Sequence, residues 1–258
     1  MAIAAGDTAE RWLLLGAPAA VAKVAASDPT LAPVPGVRAS GVGAVALANG
    51  GPGQTVGLLA LGNHEPLTVL STDAVRRSFL EGNVLARSLA HGRGRVEWVP
   101  LRLDERCLLF DGLTIEAVAV PGARAPHARE LPATSNEDNV AFVIEDARGK
   151  ALVFAPAVGG PSASVDRLVD RADVLLFDGT HWSTDQRGAA PLREHDSSGH
   201  WPLGGAEGSL LRLAQARGRR ILVHVDDTNP ILLENSAERV ELQRFGVEVA
   251  WDQMEITL

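Results

Sequence analysis

The run Ile221-Leu222-Val223-His224-Val225-Asp226-Asp227-Thr228-Asn229-Pro230 constrains this chain more than any other. Its aliphatic start demands burial and reads as an interior strand of an α/β sheet. The same strand then delivers an imidazole, two carboxylates and an amide to its end. Polar groups carried that far inward are costly unless they are hydrogen-bonded or bind something. A strand that ends in ligand-type residues therefore reads as the rim of a functional site. The plainer reading is a capped turn, with Asp227 and Asn229 bonding local main chain before Pro230. Asp178-Gly179-Thr180-His181-Trp182, which follows another apolar run, and Gly199-His200-Trp201-Pro202 weigh toward the site.

The bulk numbers set the frame. A chain of 258 residues, 46% hydrophobic and 22% charged, has ample material for one large α/β core, so a single domain spanning 1–258 is expected. A net charge of −8 argues against nucleic acid or an anionic membrane as the main partner. One cysteine, Cys107, excludes an internal disulfide and fits a reducing compartment; it lies in an apolar run and is expected in the core. No apolar run reaches a membrane span and no signal peptide is recognisable, so the cytoplasm is the expected location.

Strands are expected at 12–15, 42–47, 67–70, 95–99, 106–110, 113–120, 140–145, 151–155, 174–177, 220–225 and 247–250. Helices are expected at 18–26, from 55 to 61, from a Ser71/Thr72/Asp73 cap, and at 162–171, 206–216 and 236–245. Asp111-Gly112 and Arg148-Gly149 mark hairpin turns. Residues 183–204 form a long polar loop that carries His195 and His200. Strands, helices and hairpins interspersed in this way predict mixed sheets.

Asp178, His200 and His224 are the candidate metal ligands. Two imidazoles and a carboxylate suit non-haem Fe(II) and, with a water, Zn(II). Each has a plainer role: Asp178 capping the turn before Gly179, His200 exposed on a loop, His224 bonded to Asp226 or Asp227. Asp226 and Asp227, next to His224 and followed by Asn229, are read either as orienting the His224 ring or as repelling each other and substrate anions. His181 is expected to face the same cavity, whereas His64, His91 and His195 read as surface groups. Gly159-Gly160 and Gly204-Gly205 read as turns, and no nucleophile elbow is present.

These words together resemble the pyrroloquinoline quinone biosynthesis protein B (PqqB) family of the metallo-β-lactamase superfamily. The similarity rests on Phe177-Asp178-Gly179-Thr180, Gly199-His200, His224 through Ser236, Glu238-Arg239 and the closing Gly246 through Asp252. Pro126-His127, Asp138-Asn139 and Phe154-Ala155-Pro156 add to it, so that it covers roughly residues 40 to 258. The resemblance implies a four-layer α/β-β/α sandwich with its site along one edge of the two sheets. It also implies metal-dependent oxidation, such as hydroxylation, of a peptide- or amino-acid-derived substrate rather than β-lactam hydrolysis.

Two departures stand out. Gly53 and Gln54, before Thr55-Val56-Gly57-Leu58-Leu59, stand where the family carries Asp and His ligands, and the family's zinc-holding cysteine cluster is missing. Relative to the family, the chain is shortened at its start, with a degenerate metal motif. Two functions follow. One is a pseudoenzyme or partner subunit in biosynthesis of such a small molecule, holding no metal. The other, implied by the resemblance, is a mononuclear oxygenase in which Asp178, His200 and His224 hold one Fe(II) or Zn(II) and Asp226, Asp227 and Asn229 are the catalytic, substrate-positioning residues. The shortened start also predicts an uncovered sheet edge, and so a homodimer or a heterodimer with a PqqB-like protein.

Overall fold

A computed structural model describes residues 1–5, 11–29, 31–32, 41–61, 67–83, 86, 96–128, 136–184 and 199–258. They form two compact units, one of residues 1–117 and 124–139 and one of residues 118–123 and 140–258.

The first unit is built on a five-stranded sheet of β1 (Ala2–Ile3), β2 (Trp12–Leu15), β3 (Val42–Ala46), β4 (Leu67–Ser71) and β5 (Val96–Pro100), in that order. β1 pairs antiparallel with β2 and the other neighbours pair parallel, so the sheet is mixed. Its helices are α1 (Val21–Ser27), α2 (Pro52–Thr55), α3 (Leu58–Leu61) and α4 (Asp73–Gly82). Leu14, Val45, Leu58, Val69, Val75 and Phe79 form its core. The Thr72 hydroxyl caps α4 by accepting from the Val75 N–H, as expected from sequence.

The single helix expected from Thr55 is broken at Val56-Gly57. A Cβ at Gly57 would stand 2.3 Å from the Pro18 carbonyl oxygen, so the helix yields there to a close main-chain approach. A hairpin of β6 (Arg106–Leu108) and β7 (Thr114–Ala119) turns at Asp111 (φ 55°) and Gly112 (φ 77°). Positive φ at both positions is the type I′ pattern expected of Asp-Gly. Cys107, expected in the core, is only half-buried, because β6 alternates exposed and half-buried residues.

In the second unit β8 (Val140–Glu145), β9 (Ala151–Ala155), β10 (Val174–Asp178), β11 (Arg219–Val223) and β12 (Val247–Val249) lie in the order β12-β11-β10-β9-β8. β8 and β9 form an antiparallel hairpin and the remaining pairs are parallel. β9 and β10 are buried along their whole length, which explains their unbroken apolar sequence. The helices are α5 (Ala163–Arg171), α6 (Ser209–Leu213) and α7 (Ala237–Arg244). α5 buries Val165, Leu168 and Val169 in a core shared with Val153, Leu175, Phe177 and Leu222.

The helix expected over 206–216 is only the five residues of α6. Gly208 precedes it, in a place where a Cβ would lie 2.2 Å from the Leu203 carbonyl oxygen. The chain there is a tight turn rather than a first helical turn. β10 and β11 run side by side, with Asp178 opposite Val223, so both deliver their C-terminal ends to one place.

Candidate metal centre

The ends of adjacent parallel strands are where an open α/β sheet collects ligands. Here β10 ends in Asp178 and β11 is followed at once by His224. His224 has φ 55°, a left-handed conformation that a non-glycine residue adopts only at some cost. Its Nδ1 lies 2.9 Å from the Thr180 hydroxyl, and the same hydroxyl lies 3.0 Å from its carbonyl oxygen. His200 arrives on the loop before α6. That loop is pinned by the Trp201 N–H donating to the Val158 carbonyl and the Leu203 N–H donating to the His181 carbonyl. Gly199 has φ 71°, and a Cβ there would meet the Ala123 main chain at 2.6 Å, so only glycine turns the chain into His200.

Asp178 is the buried anchor, 1% exposed. Its Oδ1 accepts from the Thr180 N–H (3.0 Å) and the Thr180 hydroxyl (2.5 Å). Its Oδ2 accepts from the Val158 N–H (2.8 Å) and lies 2.6 Å from His200 Nδ1. The His200 and His224 rings stack with centroids 5.2 Å apart and planes 17° apart, and His181 meets His200 edge-on at 6.0 Å. Asp178, His200 and His224 each bring a ligand atom to within 4.8 Å of the others. One carboxylate and two imidazoles at this separation fit a single metal ion.

His224 lies at the exposed mouth of this cluster. Burial of its ring against the surrounding protein nevertheless pushes its pKa below the ordinary histidine value. Asp178 opposes that shift and His200 adds to it. The neutral ring is the form a metal needs.

The remaining expected residues are close by in the fold. Asn229 is buried; its amide donates to the Gly179 and Thr180 carbonyls and accepts from the Ile231 N–H, so it ties the 179–180 turn to the strand end. Asp226 is half-buried and accepts from the Thr228 N–H and hydroxyl, while Asp227 is exposed. His181 is buried beside His200.

In the other unit His127 lies on a 3-10 turn under the end of α4, where a Cβ on Gly82 would stand 2.9 Å from its ring. Gln54 is buried beside Gly16, and Asn49 bonds Asn139 and the Gly51 N–H. His64, His91 and His195 lie outside the described residues. Sequence reasoning missed the roles of Thr180 and Val158. Thr180 carried one signal, a hydroxyl two residues beyond a strand-end aspartate; the main-chain N–H and C=O of Val158 carried none.

The model of the beta-lactamase superfamily domain matches residues 11–225. Coenzyme PQQ synthesis protein B of Pseudomonas protegens is 35% identical, over 99% of this chain and 86% of that protein. The protein of the same name from Azotobacter vinelandii is 33% identical, over 99% and 86%. Zn(2+)-bound PqqB from Methylobacterium extorquens superposes with a TM-score of 0.87 at 30% identity, covering 100% of this chain and 87% of that one. The metallo-beta-lactamase fold protein YhfI from Bacillus subtilis, at 17% identity and a TM-score of 0.59, covers 95% and 85% and shares the fold alone.

Proposed function

The chain belongs to the PqqB family of the metallo-β-lactamase superfamily, and from that premise we propose that it serves biosynthesis of an amino-acid-derived cofactor such as PQQ through one metal ion held at the Asp178, His200 and His224 centre. Its fold is that of the superfamily, with the mixed sheets expected from sequence.

The convergence of Asp178 and His224 at the ends of two parallel strands, with His200 brought to them on its loop, carries the reading. Two imidazoles held against one buried carboxylate and its threonine partner are a ready-made set of nitrogen ligands. When bound, Fe(II) would supply activation of dioxygen, the oxidant for an amino-acid unit, and Zn(II) would polarise a water. The chain's own residues do the rest. His224 stands at the mouth with its pKa lowered, which favours the neutral ring that a metal needs. Asp226 and Asp227 sit two and three residues further on, where carboxylates would hold the amine of an amino-acid-derived substrate. Asn229 keeps the turn bearing Thr180 in register with the strand end.

Anaerobic purification with added Fe(II) or Zn(II), followed by elemental analysis, tests this. About one metal per chain is expected, and no retained metal would overturn the reading. The ion is mononuclear: glycine has no side-chain ligand and a glutamine amide is a weak one, so the Asn49–Gln54 segment adds no second metal. Two metals about 3.5–4 Å apart would contradict that.

A second reading, a non-catalytic partner of a metal-complete PqqB-like protein, draws on the same loss at Gly53 and Gln54. Turnover by the metal-loaded chain alone would exclude it. Activity appearing only on mixing with such a partner would favour it.

A further inference from the structure

Both imidazoles of the centre reach the buried Asp178–Thr180 pair through the same ring nitrogen. Thr180 has one hydroxyl proton and two lone pairs. Its oxygen lies 2.5 Å from Asp178 Oδ1, 3.0 Å from His200 Nδ1, 2.9 Å from His224 Nδ1 and 3.0 Å from the His224 carbonyl. The proton belongs to Asp178, the shortest and the only charged acceptor. Given to a ring or to the carbonyl instead, it would leave a hydroxyl lone pair facing a carboxylate oxygen at 2.5 Å.

The two hydroxyl lone pairs then face the two Nδ1 atoms, so each Nδ1 carries a proton. His200 Nδ1 also lies 2.6 Å from Asp178 Oδ2, which reinforces the assignment. An ionised carboxylate has about four lone-pair sites. All four on Asp178 are taken: the Thr180 N–H and hydroxyl on Oδ1, the Val158 N–H and His200 Nδ1–H on Oδ2. Its side chain has 0% exposure.

Resting on the metal reading above, we propose that Asp178 is a positioning residue rather than a ligand. With Thr180 it locks His200 and His224 as Nδ1–H tautomers, and the metal binds the two Nε2 atoms. Among the described residues the site is then a two-histidine one, with its other positions taken by water or substrate. The carboxylate–histidine–metal relay is a known way of orienting an imidazole; here one carboxylate orients one ring directly and the other through a hydroxyl.

Long-range proton–nitrogen correlation spectra of histidine-labelled protein read the tautomers directly, metal-free and loaded with zinc. Both rings are expected as Nδ1–H in each state, with only the Nε2 signals moving on zinc addition. In zinc titrations, His224→Ala is expected to lose binding. Thr180→Val is expected to weaken it about 10–100-fold at unchanged stoichiometry, and Thr180→Ser to restore it to within a few-fold. Asp178→Asn should weaken binding without abolishing it, with thermal unfolding confirming that the variant is folded.

An Nδ1-bound metal in either ring overturns the proposal. So does a folded Asp178→Asn that loses zinc as completely as His224→Ala. A wild-type chain that takes up no zinc overturns the metal reading and the Nε2 assignment with it; the metal-free spectra still decide the tautomer lock.

Discussion

At His224 a left-handed backbone, a ring stacked on His200 and a depressed pKa meet in one residue. Burial lowers the pKa in the folded chain below its unfolded value, so the unfolded chain binds the proton more readily. The contribution to stability is full above the ordinary histidine pKa of about 6.5. It is lost as pH falls through the lower folded value. Metal should accordingly be retained somewhat below the ordinary histidine range and then released, which a pH series of elemental analyses would follow; release centred above that range would contradict it. His224→Ala should strip most of the metal at neutral pH while His64→Ala leaves it, and equal metal content in the two variants would count against the site. Asp178, His200 and His224 were legible because ligand-type side chains at strand ends or after a glycine leave a mark in the sequence. The hub that gathers them was not, because one threonine hydroxyl and the main chain of Val158 acquire their roles only when β9, β10 and the His200 loop come together.

Elements with strong local signals fell where the sequence put them. α5 and α7 begin where they were expected to start, and the serines there cap them: Ser162 accepts from the Val165 N–H and Ser236 from the Arg239 N–H. Ser236→Ala should cost about 1 kcal/mol in denaturant unfolding, and no change would mean that α7 is held by packing alone. β1 was not foreseen, since two residues carry no periodicity, and it forms by pairing Ala2 with Leu14 and Ile3 with Leu13. The β8–β9 turn supplies an acid-sensitive device. Asp146 accepts from the Arg148 and Lys150 N–H groups, and Asp173 from the Ala151 N–H and the Lys150 ammonium. Hydrogen bonds to Lys150 are the largest cause holding each carboxyl below its usual range. Depressed carboxyl pKa values stabilise above the unfolded values of about 4 and are lost as pH falls through the folded ones. Asp173→Asn should therefore flatten the acid limb of a stability–pH curve, and an unchanged limb would place the acid sensitivity elsewhere. The effect is small, because both partners are largely in water.

At the scale of the whole molecule, charge and sheet edges decide how it assembles. Among the described residues no helix is long and apolar enough to cross a membrane, and the chain carries a net charge of −8. An acidic surface disfavours nucleic acid and anionic lipid but leaves protein partners open. The first unit's sheet ends on one side at β5, where Glu97 and Pro100 are exposed, a charge and a proline of the kind that blunt an edge. Its other side ends at β1, two residues long and carrying neither charge nor proline. The main chain of Met1 bonds Leu15 in both directions, so β1 is firmly placed, and among the described residues no strand pairs with its outer edge. We propose that the protein forms a dimer, with itself or with a PqqB-like partner, through that edge. Light scattering on the purified chain should report a dimer, and Ala2→Pro should shift it toward monomer with little change in metal content: Met1 and Ile3 turn their N–H groups to Leu15 and Leu13 of β2, so the Ala2 N–H is the one on the outer edge, and it lies far in sequence from the metal centre. A monodisperse monomer at high concentration, with no partner recovered on co-purification, would remove the reason for an open β1 edge and leave its shortness as a purely local property of the sheet.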